Sequence, residues 1–327
     1  MDRAFGTEIE LTGITRAHAL QVLRLVGCNI REEEYNHVTR TWWKIVPDGS
    51  VRDGFEVVSP ILRGQRGVSE VMTVVTALDD AGGRVDRRCG LHVHVDGSGL
   101  ELEQMRSVIR RYARYEDEID AFMPPSRRGN DNRYCHSMRP FVEQESFTRA
   151  RSVSQLVRAQ PDRYYKVNLK SLEVHRTLEF RQHSGTLNAM KVQNWLTFID
   201  AFVRESCRLV GLREEEAPAV VTLPTLQPKL ANLARMLLEA PEGMSSEALQ
   251  AVLHVQPHSL RANMTYLRRA GVNVESHRRT NGTVYRISGG GAPQSVQSAD
   301  SGLFAGMPQE VARFYHNRAL VLNNAAR

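Results

Sequence analysis

Two histidines stand one residue apart in GLHVHVDG, residues 90–97. In a strand alternate side chains share a face, so Leu91, Val93 and Val95 point one way and His92, His94 and Asp96 the other. The spacing recurs in FGTEIEL, where Phe5, Thr7, Ile9 and Leu11 oppose Gly6, Glu8 and Glu10. It recurs again in RTLEFRQHSG, where Leu178 and Phe180 oppose Glu179 and Arg181 in a polar row extended by Thr177 and His183. Each pair alone reads most simply as the solvated face of a half-buried strand. Their chemistry differs, however: Glu/Glu, His/His and Glu/Arg. If the strands share one sheet, these groups converge on one surface, and the carboxylates repel unless a cation sits between them. Oxygen ligands with an occasional imidazole suit Mg²⁺ or Mn²⁺. Arginine on that surface suits a phosphoryl group. Together they point to nucleotide-driven phosphoryl chemistry.

The rest of the chain must position these strands. Residues 16–27 carry Ala19, Leu20, Leu23 and Val26 at helical spacing and end near Gly27. HVTRTWWKIV, a turn at PDGS and FEVVSPIL predict a hairpin or strand pair. One of the adjacent Trp42 and Trp43 is expected in the core, and the other either packs under the sheet or stacks on a base. Residues 67–81 and 101–122 read as helices, 164–185 as extended runs, and 188–210 as a long amphipathic helix. MPPSRRGNDNRYC, residues 123–135, is a loop rich in Pro, Arg and Asn, either an ordinary connection or a lid. Strands and helices do not alternate regularly, so the expected class is α+β, with a largely antiparallel sheet flanked by helices.

With 327 residues, the chain suggests two domains, or one with an appendage. The hydrophobic fraction of 41% and charged fraction of 24% suit a globular protein rather than a disordered one. No apolar run approaches the ~20 residues of a membrane helix, and nothing at the start resembles a secretory signal. Four scattered cysteines without C-x-x-C spacing suggest neither a zinc ribbon nor a disulfide framework, and fit the cytoplasm. The net charge of +6 is compatible with phosphate-rich ligands.

FGTEIEL, DGSV…FEVVSPIL, GLHVHVD and RTLEFRQHSGTLN, in that order, resemble the amidoligase family over residues 4–205. That family groups carboxylate–amine ligases with the fold of glutamine synthetase and glutamate–cysteine ligase. The resemblance implies a curved antiparallel sheet that binds ATP and Mg²⁺ or Mn²⁺ on its concave face. On this pattern Glu8, Glu10, Glu56 and Glu179 are metal carboxylates. His92 is a metal or phosphate ligand, and His94 serves either metal or substrate. Arg181 holds the transferring phosphoryl group, with Arg176 as a helper. RYYKVNLKS also resembles the family, which adds Lys166 and Asn168 to the site, while Arg128, Asn132 and Tyr134 are candidates to contact phosphate or substrate. No glycine-rich phosphate loop is present, and none is expected in this family. The implied reaction activates a carboxylate with ATP as an acyl phosphate, then forms an amide with an amine or ammonia. The acid, and whether it belongs to a peptide or protein, is open.

At 213–228 acidic residues and prolines break the periodicity, which predicts a linker after a catalytic domain at 1–212. Residues 229–288 then follow the order of a winged helix-turn-helix, with a hairpin turning at Asn281–Gly282. His258, Arg261, Asn263, Arg268 and Arg269 form polar and basic sides of a candidate recognition helix, and Arg278 and Arg279 lie near the basic hairpin tip. This module suits DNA, or else protein contact. Residues 289–327 read as a flexible linker and a candidate docking helix. Two other functions fit the same residues: a DNA-binding regulator that senses a nucleotide without turning it over, and a phosphotransferase of the guanidino kinase type.

Overall fold

A computed structural model describes residues 1–49, 51, 53–210, 228–238, 240, 243–253, 255–269, 272–279, 282–287 and 302–324. The chain divides into two units, Met1–Gly211 with Asp300–Arg327, and Leu212–Ala299.

The first unit is α+β. Its strands are β1 (Phe5–Leu11), β2 (Ile30–Glu32), β3 (Trp43–Pro47), β4 (Phe55–Val58), β5 (Leu91–Asp96), β6 (Val167–Asn168) and β7 (Thr177–Phe180). Its helices are α1 (Arg16–Leu25), α2 (Gly64–Asp80), α3 (Leu102–Arg114), α4 (Glu116–Ala121), α5 (Arg139–Val142), α6 (Glu145–Arg149), α7 (Val153–Ala159), α8 (Ser171–Val174) and α9 (Ala189–Arg208). The strands form one seven-stranded sheet in the order β2-β3-β4-β1-β5-β7-β6. All neighbours pair antiparallel except β2 with β3, which are parallel, so the sheet is mixed. The helix expected at 101–122 is broken at Tyr115, the C-cap of α3 and the N-cap of α4.

Alternation sets the core. Ile9, Val57, Leu91, Val93, Val95, Leu178 and Phe180 are fully buried and join Val71, Val74 and Leu78 of α2 and Trp195, Phe198 and Phe202 of α9 in one cluster. Each such aliphatic or aromatic side chain contributes about 1.5–3 kcal/mol when removed from water. The opposite face of these strands is not solvated: Glu10, His92, His94 and Glu179 are each at least nine-tenths buried. The simplest reading of the polar pairs as solvated strand faces is thereby corrected.

The C-terminal helix of the described chain, α13 (Gln309–Asn324), returns to this unit. Tyr315 packs on Phe122 at 4.4 Å between ring centroids, Arg111 Nη2 donates to the Gly302 carbonyl at 2.6 Å, and Arg318 Nε donates to the Phe122 carbonyl at 2.7 Å. All four cysteines are free. Among the described residues, no helix is long and apolar enough to cross a membrane.

The second unit runs α10 (Pro228–Leu238), β8 (Met244–Ser245), α11 (Ser246–Leu253), α12 (Pro257–Arg269), β9 (Val274–Arg279) and β10 (Gly282–Ile287). Its sheet has the order β8-β10-β9. Leu233, Leu237, Leu249, Leu260, Met264, Leu267 and Tyr285 form a separate core. Most of the expected linkers, residues 213–227 and 289–301, and Asn281 of the hairpin turn lie outside the described residues.

Candidate active site

Register brings the polar residues together. Glu10 faces Glu56 across β1 and β4, Glu8 faces His92 across β1 and β5, and His94 faces Glu179 across β5 and β7, with Asn168 of β6 beyond. Glu8 lies at the centre. Its Oε2 is 3.0 Å from His92 Nδ1 and its Oε1 is 3.2 Å from His94 Nε2. His92 also reaches Glu10 Oε1 through Nε2 and Glu179 Oε1 through Nδ1, both at 3.6 Å. Asn168 donates to Glu179 Oε2 at 2.5 Å, and Arg181 pairs with Glu179 Oε1. The Gly90 amide donates to Glu10 Oε2 at 2.6 Å. A Cβ on Gly90 would stand 2.7 Å from His92 Nε2, so a side chain here would displace that imidazole.

The charges are poised around one another. Burial opposes ionisation of Glu8, but His94 and His92 outweigh it and hold the carboxyl well below its usual range. Burial likewise opposes charge on His94, and Glu8 and Glu179 overcome it, raising the imidazole's pKa. Glu179 is lowered against burial by Arg181 and His94. Glu56 goes the other way: burial, then the negative charges of Glu8, Glu10 and Asp48, push it well above the carboxylate range. Glu8, Glu56 and His92 each offer a ligand atom within 4.8 Å of one another, as do Glu8, His94 and Glu179. His94 Nδ1 is fixed by Thr177 Oγ1 at 2.9 Å and Ser171 Oγ at 3.2 Å, which leaves its buried Nε2 to Glu8 Oε1. Carboxyls and imidazoles at this spacing, one acid among them pushed toward its neutral form by burial and then by its neighbours' charge, are a donor set that fits a divalent cation.

Above this floor lies a cavity of about 880 Å³. Glu8, Glu10, Glu56, His92, His94, Asn168, Arg176, Glu179 and Arg181 all line it, and so does Tyr134. Lys166 is not in its wall: it is fully buried and paired with Glu116 at 2.8 Å and Asp120 at 2.7 Å. Arg128 turns its Nε to the Met123 carbonyl, and Asn132 donates to the Ser126 carbonyl; neither lines the cavity.

Sequence reasoning passed over two cations. Arg127, 3% exposed, lines the cavity with Nη2 on the carbonyls of Arg88 and Cys89 and with its Nε buried and unpartnered. Its backbone is held by Gln182, which donates to the Arg127 carbonyl at 3.1 Å. Among the described residues no carboxylate lies within 4.0 Å of this guanidinium, and a buried cation is costly unless an anion completes it. Lys44, on the site face of β3, donates to Asn36 O, Asn36 Oδ1 and Val38 O at 2.9–3.0 Å. Burial lowers its pKa against the pull of Glu33, Glu56 and Glu8. It ties down the segment 33–42, in which Glu33 also binds Arg40 and Trp42 Nε1. Of the two tryptophans, Trp43 is the buried one and Trp42 lines the cavity.

In the second unit His258, Arg261, Arg268 and Arg269 are exposed on α12, Asn263 is half-buried, and Arg278 is exposed on β9. Arg268 Nε also donates to the Val274 carbonyl at 2.8 Å. The side chain of Arg279 lies outside the described residues.

A mixed sheet thus carries a buried floor of carboxylates and imidazoles, edged by arginines, whose groups could hold a metal ion. The family described as "Putative amidoligase enzyme" matches residues 1–203, and the chain belongs to this family. Membership supports a ligase-type, amide-forming enzyme. No curated protein matches the chain.

Proposed function

We propose that the first unit is an ATP-dependent ligase that joins a carboxylate to an amine or ammonia through an acyl phosphate. The observation that carries this reading is the convergence of Glu8, Glu10, Glu56, His92, His94 and Glu179 beside Arg127 and Arg181 in one cavity. A divalent cation, Mg²⁺ or Mn²⁺, held by the acidic and imidazole set would neutralise phosphate charge. A carboxylate oxygen of the substrate attacks the γ-phosphorus and the bond to the bridging oxygen breaks, releasing ADP. Arg181 and Arg127 offset charge on the transferring group. The amine nitrogen then attacks the acyl carbon, the carbon–oxygen bond breaks, and phosphate leaves while the nitrogen gives up a proton. Residues 35–40, Trp42 and Tyr134 line this cavity, and an acyl phosphate held there must be kept from water that would hydrolyse it.

The test is to incubate protein, Mg²⁺ and ATP with pools of acids and amines and follow ADP. ADP release that requires both substrates is the expected result. ADP with a stable phosphorylated product would indicate a phosphotransferase, and binding without turnover a sensor.

We further infer a winged helix-turn-helix in the second unit, supported by its order of helix, strand, two helices and two strands and by the exposed basic residues of α12. DNA is the partner this chemistry suits, and a gel shift across salt concentrations tests it; no binding at low salt ends this reading.

A further inference from the structure

Strand direction gives the cavity two ends. β4 and β5 run against β1, and β7 runs against β5, so the start of β1 meets the ends of β4 and β5 and the start of β7. Glu10, Glu56, His92, Arg127 and Arg181 belong to the far end. At the near end the cavity is lined by the segment after β4, by α8 and by the junction of α8 with β7.

The chemistry of that near end differs from the floor. Val38, Ile61 and Val174 come from three separate segments, line the cavity, and are 50%, 62% and 64% exposed. Interleaved with them are Arg63, Lys170 and Arg176. Among the described residues none of these three cations makes an ion pair within 4.0 Å of a carboxylate. Asp96, which also lines the cavity, is held by Ser98, with Arg3 and then Arg63 contributing at longer range. Arg176 is also held at φ 60°, a left-handed backbone rare outside glycine, with its carbonyl accepting from Gly97 N at 2.9 Å. Conformational cost of this kind collects where a side chain must be aimed.

Unpaired cations alternating with half-exposed aliphatic side chains, at the mouth of a cavity whose floor is already anionic, form a surface complementary to an acidic, aliphatic chain. A free amino acid is too small to cover three aliphatic contacts from three segments. We propose that this end binds the acid substrate, and that the substrate is a short peptide carrying several carboxylates and aliphatic side chains. One carboxylate reaches the floor to be activated; the others engage Arg63, Lys170 and Arg176. This inference rests on the ligase reading above for the fate of the bound acid, but not for the binding itself.

The test uses fluorescently labelled pools of short peptides, one rich in Glu with Leu, Ile and Val, one basic, with the full-length protein, Mg²⁺ and a non-hydrolysable ATP analogue. The acidic pool is expected to bind and the basic pool not. Arg63→Gln with Arg176→Gln should weaken binding about 10- to 100-fold, as lost charge-assisted contacts do. Ile61→Ser with Val174→Ser should weaken it about tenfold. Affinity for the ATP analogue should be unchanged in the Ile61→Ser, Val174→Ser pair. Failure of the acidic pool to bind, binding indifferent to the arginine pair, or loss of nucleotide affinity in the aliphatic pair would overturn the proposal. Glutamate or succinate competing as well as the peptides would overturn the peptide assignment. Arginine-dependent peptide binding with no ADP released for any amine would leave this surface standing and remove the ligase reading instead.

Discussion

The two units of the chain place their polar groups oppositely. In the first, Glu10, His92, His94 and Glu179 are nine-tenths buried on one sheet face, and the charges there hold Glu8, Glu56, His94 and Glu179 away from ordinary protonation values. In the second, the core among the described residues is apolar apart from Tyr285, and the basic side chains of α12 stand in water. Burying charge costs several kcal/mol per ion. A fold accepts that cost where the groups must act on a ligand already stripped of water; exposed cations suit reversible contact with a charged partner. The contrast teaches how differently one chain can place its charges, and it matches the proposed division into a unit for chemistry and a unit for binding.

The sharpest way to break this contrast is to mutate the floor. Glu10→Gln, His92→Ala and Arg181→Ala should each lower ADP formation by about 100- to 1000-fold or more. Melting should hardly move for Glu10→Gln, which removes a buried charge, but should fall for Arg181→Ala, which strands Glu179 in the interior. A large melting loss for Glu10→Gln would make that residue structural. Next in size, Leu260→Ala should cost the second unit about 2–5 kcal/mol, whereas Arg261→Ala and Arg269→Ala should stay within about 0.5 kcal/mol, read by calorimetry. If those arginines contact phosphates, each should also reduce the salt slope of DNA binding by about 1.

Metal sharpens the same line. Mg²⁺ at ~100 times its dissociation constant should stabilise the first unit by about 2.7 kcal/mol and leave the melting of the second unmoved. Glu8→Gln, which removes the ligand common to both donor triads, should abolish the effect. The smallest effect concerns Glu33, which hydrogen bonds to Arg40 and Trp42 lower to about 2. A depressed carboxyl contributes stability that is complete above its unfolded value, near 4.5, and lost as pH falls toward 2. Trp42 fluorescence, isolated by comparison with Trp42→Phe, should therefore change across that acid window while far-UV dichroism holds. No change would detach Glu33 from the 33–42 segment.

Period two made the sheet legible: Phe5–Leu11, Leu91–Asp96 and Thr177–Phe180 declare their polar faces without any knowledge of their neighbours. What alternation cannot say is whether such a face meets water, because that depends on the segments 33–42 and 123–135 that wall it. Arg127 escaped because three arginines share one loop, and only the single 3-10 turn Pro125–Arg127 and the carbonyls of Arg88 and Cys89 select it over Arg128. Lys166 misleads in the opposite sense. It sits two residues before Asn168, yet its partners come from α4, 46 and 50 residues away. Lys44 lay hidden between an aromatic pair and an apolar run, where its head finds backbone carbonyls that no spacing rule announces.

One consequence follows from the return of the chain to its first unit. Tyr315, 1% exposed, fills a place among Phe122, Trp195 and Phe198. A ribosome delivers that ring roughly a hundred residues after α9, with the whole second unit emerging in between. The nascent enzyme thus carries an open aromatic socket while its companion folds, and the final helix closes it, so that a chain cut short by premature termination is born with an incomplete core.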